Sequence, residues 1–172
     1  MPQPPIIYEE GFVGRPDELF AHLVATTAWD ERMRARKTAS FGVAYNYSQM
    51  AYPETPMPPR LLRLCEAIER RLGFLPDNCL VNAYPDGQAS MGFHSDDVDV
   101  LADDTGVAII SLGARRNIVF RYKADRSVEH AQALAPGSLL YMPKDMQGDW
   151  LHAVPKTPGA RERISLTFRR MS

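Results

Sequence analysis

From Cys79 onward this 172-residue chain breaks into short β-forming runs separated by Gly, Pro and Asp, and that rhythm restricts the fold more than any other feature. The runs cover 79–84, 107–112, 117–122, 129–134, 138–142, 151–154 and 163–169. Many short strands joined by tight turns predict a sandwich or jelly roll, because a parallel sheet needs long helical crossovers between strands. Two stretches upstream read as helices. Pro16 and Asp17 open a periodic run carrying Leu19, Phe20, Leu23 and Val24, which predicts a helix from about 16 to 26. The second begins near Pro59, spaces Leu61, Leu62, Cys65, Ile68 and Leu72 at three and four, and stops at Gly73. The expected class is therefore α+β, a double-stranded β-helix (jelly roll) backed by N-terminal helices.

A chain of this length buries roughly two-thirds of its unfolded surface in one core, so one domain over 1–172 is expected. Its jelly-roll core would run from about 79 to 170. Between the helices, 32–58 carries Arg32, Arg34, Arg36 and Lys37, then Tyr45 and Tyr47, then a run of prolines. Prolines oppose long regular structure, and this segment is expected to form a lid. No apolar run approaches the roughly 20 residues of a membrane span, and the N-terminus has no signal-peptide pattern, which leads to the expectation of a cytoplasmic protein with no membrane partner. Cys65 and Cys79 sit in apolar surroundings and are expected to be reduced, packed thiols. The net charge of −1 offers no global argument for nucleic acid, so any such partner must be argued from the site.

His94 and Asp96 are two residues apart, which on an extended segment points both side chains to one face. His152 stands on another predicted strand. Two histidines and a carboxylate are the set that holds a non-haem Fe(II) on one face and leaves its other positions open. Zinc accepts the same donors, and the last strand argues against it. In RISLTFR, Arg163, Ser165, Thr167 and Arg169 alternate with Ile164, Leu166 and Phe168. Both arginines thus share a polar face, roughly 20 Å apart along the strand, where their long side chains can lean together around a small dicarboxylate. Guanidinium forks match carboxylates bidentately. A solvated strand face is the plainer reading of the same pattern. His22 and His130 read as structural or exposed, and Trp29 as packing.

With these residues in place, the chain resembles the AlkB family of Fe(II)- and 2-oxoglutarate-dependent nucleic-acid demethylases. The likeness rests on the order of RKTASFG, AYNYS, LVNAYPDG, HSDD, SLGARRNIVFRYK, LAPGSLLYMP, WLHAVPK and RISLTFR. It implies that His94, Asp96 and His152 are the iron ligands and the catalytic centre, and that Asn82, Tyr84, Arg163, Ser165 and Arg169 surround 2-oxoglutarate. Ser165 departs from the family, which usually has Asn there. Tyr45 and Tyr47 match aromatics of a nucleotide-recognition lid, with Tyr47 and His94 expected to stack on a flipped base. Asp97 matches an acidic residue beside the damaged base, and Val98 stands where some members carry a second acid. Arg36 matches a basic position that contacts phosphate, and Arg115, Arg116, Arg121 and Lys123 form a second basic group.

The resemblance implies a monomeric DNA-repair enzyme that uses Fe(II), 2-oxoglutarate and O2. It would demethylate bases such as 1-methyladenine and 3-methylcytosine in DNA or RNA, releasing formaldehyde, succinate and CO2. One alternative is a 2-oxoglutarate-dependent hydroxylase or demethylase of protein or small-molecule substrates. Another is a non-catalytic β-roll binding module, for which an intact triad with both arginines would have no purpose.

Overall fold

A computed structural model describes residues 1–172 except Arg34, Ser48, Gln49 and the side chains of Tyr47 and Met50. In chain order the elements are β1 (Ile7–Glu9), α1 (Pro16–Thr26), β2 (Lys37–Gly42), β3 (Tyr45–Tyr47), β4 (Met50–Tyr52), α2 (Pro59–Leu72), β5 (Asn78–Tyr84), β6 (Met91–His94), β7 (Gly106–Gly113), β8 (Arg116–Tyr122), β9 (Glu129–Leu134), β10 (Leu139–Pro143), β11 (Trp150–Val154) and β12 (Arg163–Arg169). Short 3-10 turns cover Val98–Val100 and Lys144–Gly148. No helix among the described residues is long and apolar enough to cross a membrane.

Two antiparallel sheets form the jelly roll. The larger runs β1-β10-β7-β12-β5-β2, the smaller β6-β11-β8-β9, and β3 pairs with β4 in a separate hairpin. In β12 the alternation of the sequence becomes a division of labour. Ile164, Leu166 and Phe168 join Cys79, Val81, Ala83, Ala108, Ile110 and Leu112 against Leu61, Cys65 and Ile68 of α2 and Leu19 and Leu23 of α1. Every residue of β12 and of its neighbour β5 is buried, so the polar face turns into the space between the sheets and the solvated reading is overturned. The rest of that space is filled by Val107, Ile109, Ile118, Phe120, Leu140, Met142 and Trp150.

Both helices coincide with their expected spans. Pro at the first turn starts each of them, and Gly73 ends α2 with φ at 88°, a left-handed conformation that costs glycine nothing. Trp29 packs against the helix-side core.

Part of the segment expected as a lid belongs to the large sheet. Residues 37–42 form β2, paired with β5 from Lys37↔Ala83 to Gly42↔Asn78, with Thr38, Ala39 and Ser40 buried. Its polar residues hid a strand whose inward face is satisfied by the neighbouring elements. Asn78 donates to Ser40 Oγ, and the Thr38 and Tyr52 hydroxyls bond each other, tying the β3–β4 hairpin to the sheet.

Candidate metal centre

His94 is the last residue of β6 and His152 the middle of β11, and the two face each other as cross-strand partners. Asp96 lies past the end of β6, so a loop and not strand alternation brings its carboxylate to the imidazoles. Asp96 Oδ1 stands 3.6 Å from His94 Nε2 and 3.5 Å from His152 Nε2. One ligand atom from each residue lies within 4.8 Å of the others.

Each donor is prepared for a cation. His94 Nδ1 is 2.8 Å from the Gly92 carbonyl, which can only accept, so Nδ1 carries the proton and the Nε2 lone pair faces the centre. Burial pushes His152 down to about 4, against the pull of Asp96, which leaves its ring neutral. Burial by itself would raise Asp96, yet the Arg169 guanidinium, followed by His152, holds the carboxyl below its ordinary value. Asp96 is thus an anion at 7% exposure. Arg169 Nη2 donates to Oδ2 at 2.6 Å, leaving Oδ1 for a metal.

Around this centre the structure gathers the residues expected to hold a dicarboxylate. Two narrow cavities meet at Asn82, Met91, Ile109 and Thr167. One is also lined by His94, Asp96, His152 and Arg169, the other by Tyr84, Arg163 and Ser165. Arg163 is 1% exposed. Its Nη2 donates to Ser111 Oγ at 3.0 Å, while the buried Nε and Nη1 have no hydrogen-bond partner among the described residues. The Tyr84 ring centroid lies 5.0 Å from the guanidinium carbon. A buried cation with two unmatched donors fits a carboxylate, and two imidazoles with one carboxylate fit Fe(II). Arg169 lines the first of these cavities and, unlike Arg163, shares its guanidinium with a metal-site residue, Asp96. Ser165 is buried between Ser111 and Asn82. Ser111 went unnoticed in the sequence, although a lone hydroxyl in the apolar run VAIISLG marks the position that faces a buried polar group.

The triad opens into a cleft of about 450 Å³ lined by Met33, Arg36, Tyr45, Asn46, Phe93 and Asp97 among others. Tyr45 is largely buried, packing with Tyr52 and Leu80, and its ring centroid sits 4.9 Å from the Arg169 guanidinium carbon. Asp97 is exposed on the cleft wall and caps the Val98–Val100 turn by accepting from Asp99 N. Arg36 needs correction as a phosphate contact: it is 6% exposed and donates to Asn82 Oδ1 at 2.9 Å and to the Ser90 carbonyl at 3.1 Å. A guanidinium buried this far must find acceptors inside the protein. The second basic group also disperses. Arg116 is buried against the Ala89 and Pro155 carbonyls, Arg121 pairs with Glu129, and Lys123 donates to the Gln147 carbonyl. The Tyr47 side chain lies outside the described residues.

The 2OG-Fe(II) oxygenase superfamily profile matches residues 19–169. The chain is 33% identical over 147 residues to "DNA oxidative demethylase ALKBH2" of Bos taurus, covering 79% of this chain and 53% of that protein. It is 34% identical over 181 residues to "Alpha-ketoglutarate-dependent dioxygenase alkB homolog 3" of Bos taurus, covering 92% of this chain and 63% of the relative. The match therefore spans little more than half of these curated relatives. A solved structure, "The structure of OsALKBH1", superposes with a TM-score of 0.72 at 16% identity, covering 99% of this chain and 100% of that one, which establishes likeness of fold. The profile match, together with a triad and a buried arginine that suit Fe(II) and 2-oxoglutarate, makes this chain a member of the 2OG-Fe(II) oxygenase superfamily and a homologue of its AlkB-type proteins.

Proposed function

We propose that this chain oxidatively demethylates N-alkylated nucleobases in DNA or RNA, 1-methyladenine and 3-methylcytosine being the expected type. The observation that carries the reading is the pairing of the His94-Asp96-His152 centre with an open cleft whose wall holds an aromatic ring, Tyr45, and a carboxylate, Asp97. Methylation at N1 of adenine or N3 of cytosine makes the ring cationic, and a carboxylate beside it favours that charge. A relative whose name specifies DNA oxidative demethylation supports the same substrate class, and one named as an alpha-ketoglutarate-dependent dioxygenase supports the same co-substrate.

Bound Fe(II), with 2-oxoglutarate and O2, supplies the oxidation of the N-methyl carbon, which leaves as formaldehyde while the co-substrate becomes succinate and CO2. The residues of this chain position the participants. His94, Asp96 and His152 would hold the metal, with Arg169 fixing which carboxylate oxygen faces it. Arg163, aided by Tyr84 and Ser111, would hold the distal carboxylate of the co-substrate, and Asn82 is kept in place by Arg36. The reactive edge of the base is its pairing edge, so the nucleotide must be unpaired or flipped to reach the cleft.

The test is formaldehyde release from matched oligonucleotides carrying 1-methyladenine or 3-methylcytosine, in DNA and in RNA, with and without 2-oxoglutarate. Release that needs 2-oxoglutarate supports the reading. Succinate formed at the uncoupled rate with every oligonucleotide would overturn it and leave a protein or small-molecule substrate in its place.

A further inference from the structure

We infer that Gln147 is a positioning residue for the iron site, clamping the loop that carries Asp96 to the strand that carries His152. The inference rests on the metal centre and not on the nucleic-acid substrate, so the two can fail separately.

Asp96 lies beyond its strand, on a loop whose backbone leaves the β-ladder after His94. A ligand carried on a loop needs an outside restraint to stay within about 0.5 Å of productive geometry. Gln147 meets that need. It sits in the 3-10 turn Lys144–Gly148 just ahead of β11, is 3% exposed, and accepts from the Asp96 backbone N–H through Oε1 at 2.8 Å. The orientation of the carboxamide follows from its neighbours. An N–H can only donate, so the oxygen must face Asp96, and the amide nitrogen then lies 3.9 Å from Met142 Sδ, a weak acceptor.

The turn is itself pinned from two sides. Lys123 Nζ donates to the Gln147 carbonyl at 2.8 Å, and Met146 is buried in the inter-sheet core. A parallel tie runs one residue earlier in the loop, where Ser95 Oγ donates to the Trp150 carbonyl at 2.9 Å. Asp96 is consequently held at both ends, its amide by Gln147 and its Oδ2 by Arg169. Gln147 and His152 are only five residues apart, so the segment that delivers the second histidine also sets the carboxylate. Residues that orient metal ligands from behind are worth about 10- to 100-fold in metal affinity. Nothing in the sequence marked Gln147, since a polar residue between Met146 and Gly148 reads as part of an exposed turn.

The experiment is a titration of the metal-free protein with Co(II), a redox-stable probe, followed by its visible absorption. Gln147→Met, which keeps the volume and removes the acceptor, should raise the Co(II) Kd at least tenfold and alter the band shape. Leu166→Ala, on the helix side of the large sheet, is the control: it should lower Tm while leaving the Co(II) Kd within about twofold, as the first-order consequence of a purely structural defect. A folded Gln147→Met protein with an unchanged Kd and spectrum would overturn the inference. A second measurement uses the unaltered chain, so it stands even if the variant does not fold. The Asp96 amide should be protected from hydrogen exchange in the metal-free protein, and exchange as fast as that of an open loop would equally overturn it.

Discussion

Arg169 Nη2 donates to Asp96 Oδ2 at 2.6 Å, with both side chains almost fully buried. The pair holds the Asp96 carboxyl below its ordinary value against the effect of burial, and it reserves Oδ1 for the direction in which the two imidazoles converge. Replacing one partner of a buried ion pair strands the other charge. Arg169→Met should cost about 3–5 kcal/mol of stability and weaken metal binding about 10- to 100-fold. Chemical denaturation and Co(II) titration of the same sample check both effects.

Arg163 has a different task, because two of its buried donors have no hydrogen-bond partner among the described residues. Arg163→Lys retains the charge but loses the planar fork. We expect the KM for 2-oxoglutarate to rise about 100-fold, on the scale of two hydrogen bonds between charged groups, while Co(II) affinity stays within about threefold. Steady-state kinetics with varied 2-oxoglutarate separates this from a general loss of the site.

Asp97 faces the cleft and touches none of the three metal ligands through a hydrogen bond of its side chain among the described residues, its carboxylate accepting instead from Asp99 N. Asp97→Asn should lower kcat/KM about tenfold on cationic 1-methyladenine and 3-methylcytosine, on the scale of one hydrogen bond to a charged group. Neutral 3-methylthymine should be little affected. Equal losses on both kinds of base would count against a role for its charge.

Leu166 is fully buried between the large sheet and the helices. Leu166→Ala should destabilise the fold by about 2–5 kcal/mol, the range set by how far the walls relax into the cavity. Urea denaturation with an unchanged m-value is the expected signature.

Cys65 and Cys79 are free and buried, and burial pushes the Cys65 thiol up to about 12 and Cys79 well above its ordinary value. Both stay protonated in the folded chain where an unfolded thiol, with its pKa near 8.5, has begun to ionise. Iodoacetamide at about pH 9 should therefore spare the native protein and label both cysteines in denaturant. A raised folded value contributes stability that is lost as pH rises, here from about 9 toward 12. A denaturation midpoint that holds steady across that range would contradict it.

Local chemistry made the helices, the β-runs and the chemistry of the last strand legible in the chain itself. Proline starts and the glycine stop at Gly73 act within one turn, and the alternation of Arg163, Ser165, Thr167 and Arg169 with Ile164, Leu166 and Phe168 needs only strand geometry. Strand β2 was not legible, because its polar residues are satisfied by other elements, as Thr38 is by Tyr52, and β1, β3, β4 and β6, of three or four residues each, are too short to show a period. Tertiary structure alone decided that Arg169 turns to Asp96 while two donors of Arg163 find no partner among the described residues, that Arg36 props Asn82 inside the roll, and that Gln147 reaches across 51 positions to the Asp96 amide. The physical reason is burial: once water is excluded, each polar group must find a partner among whatever the fold brings within about 3 Å, and sequence spacing carries no record of that choice.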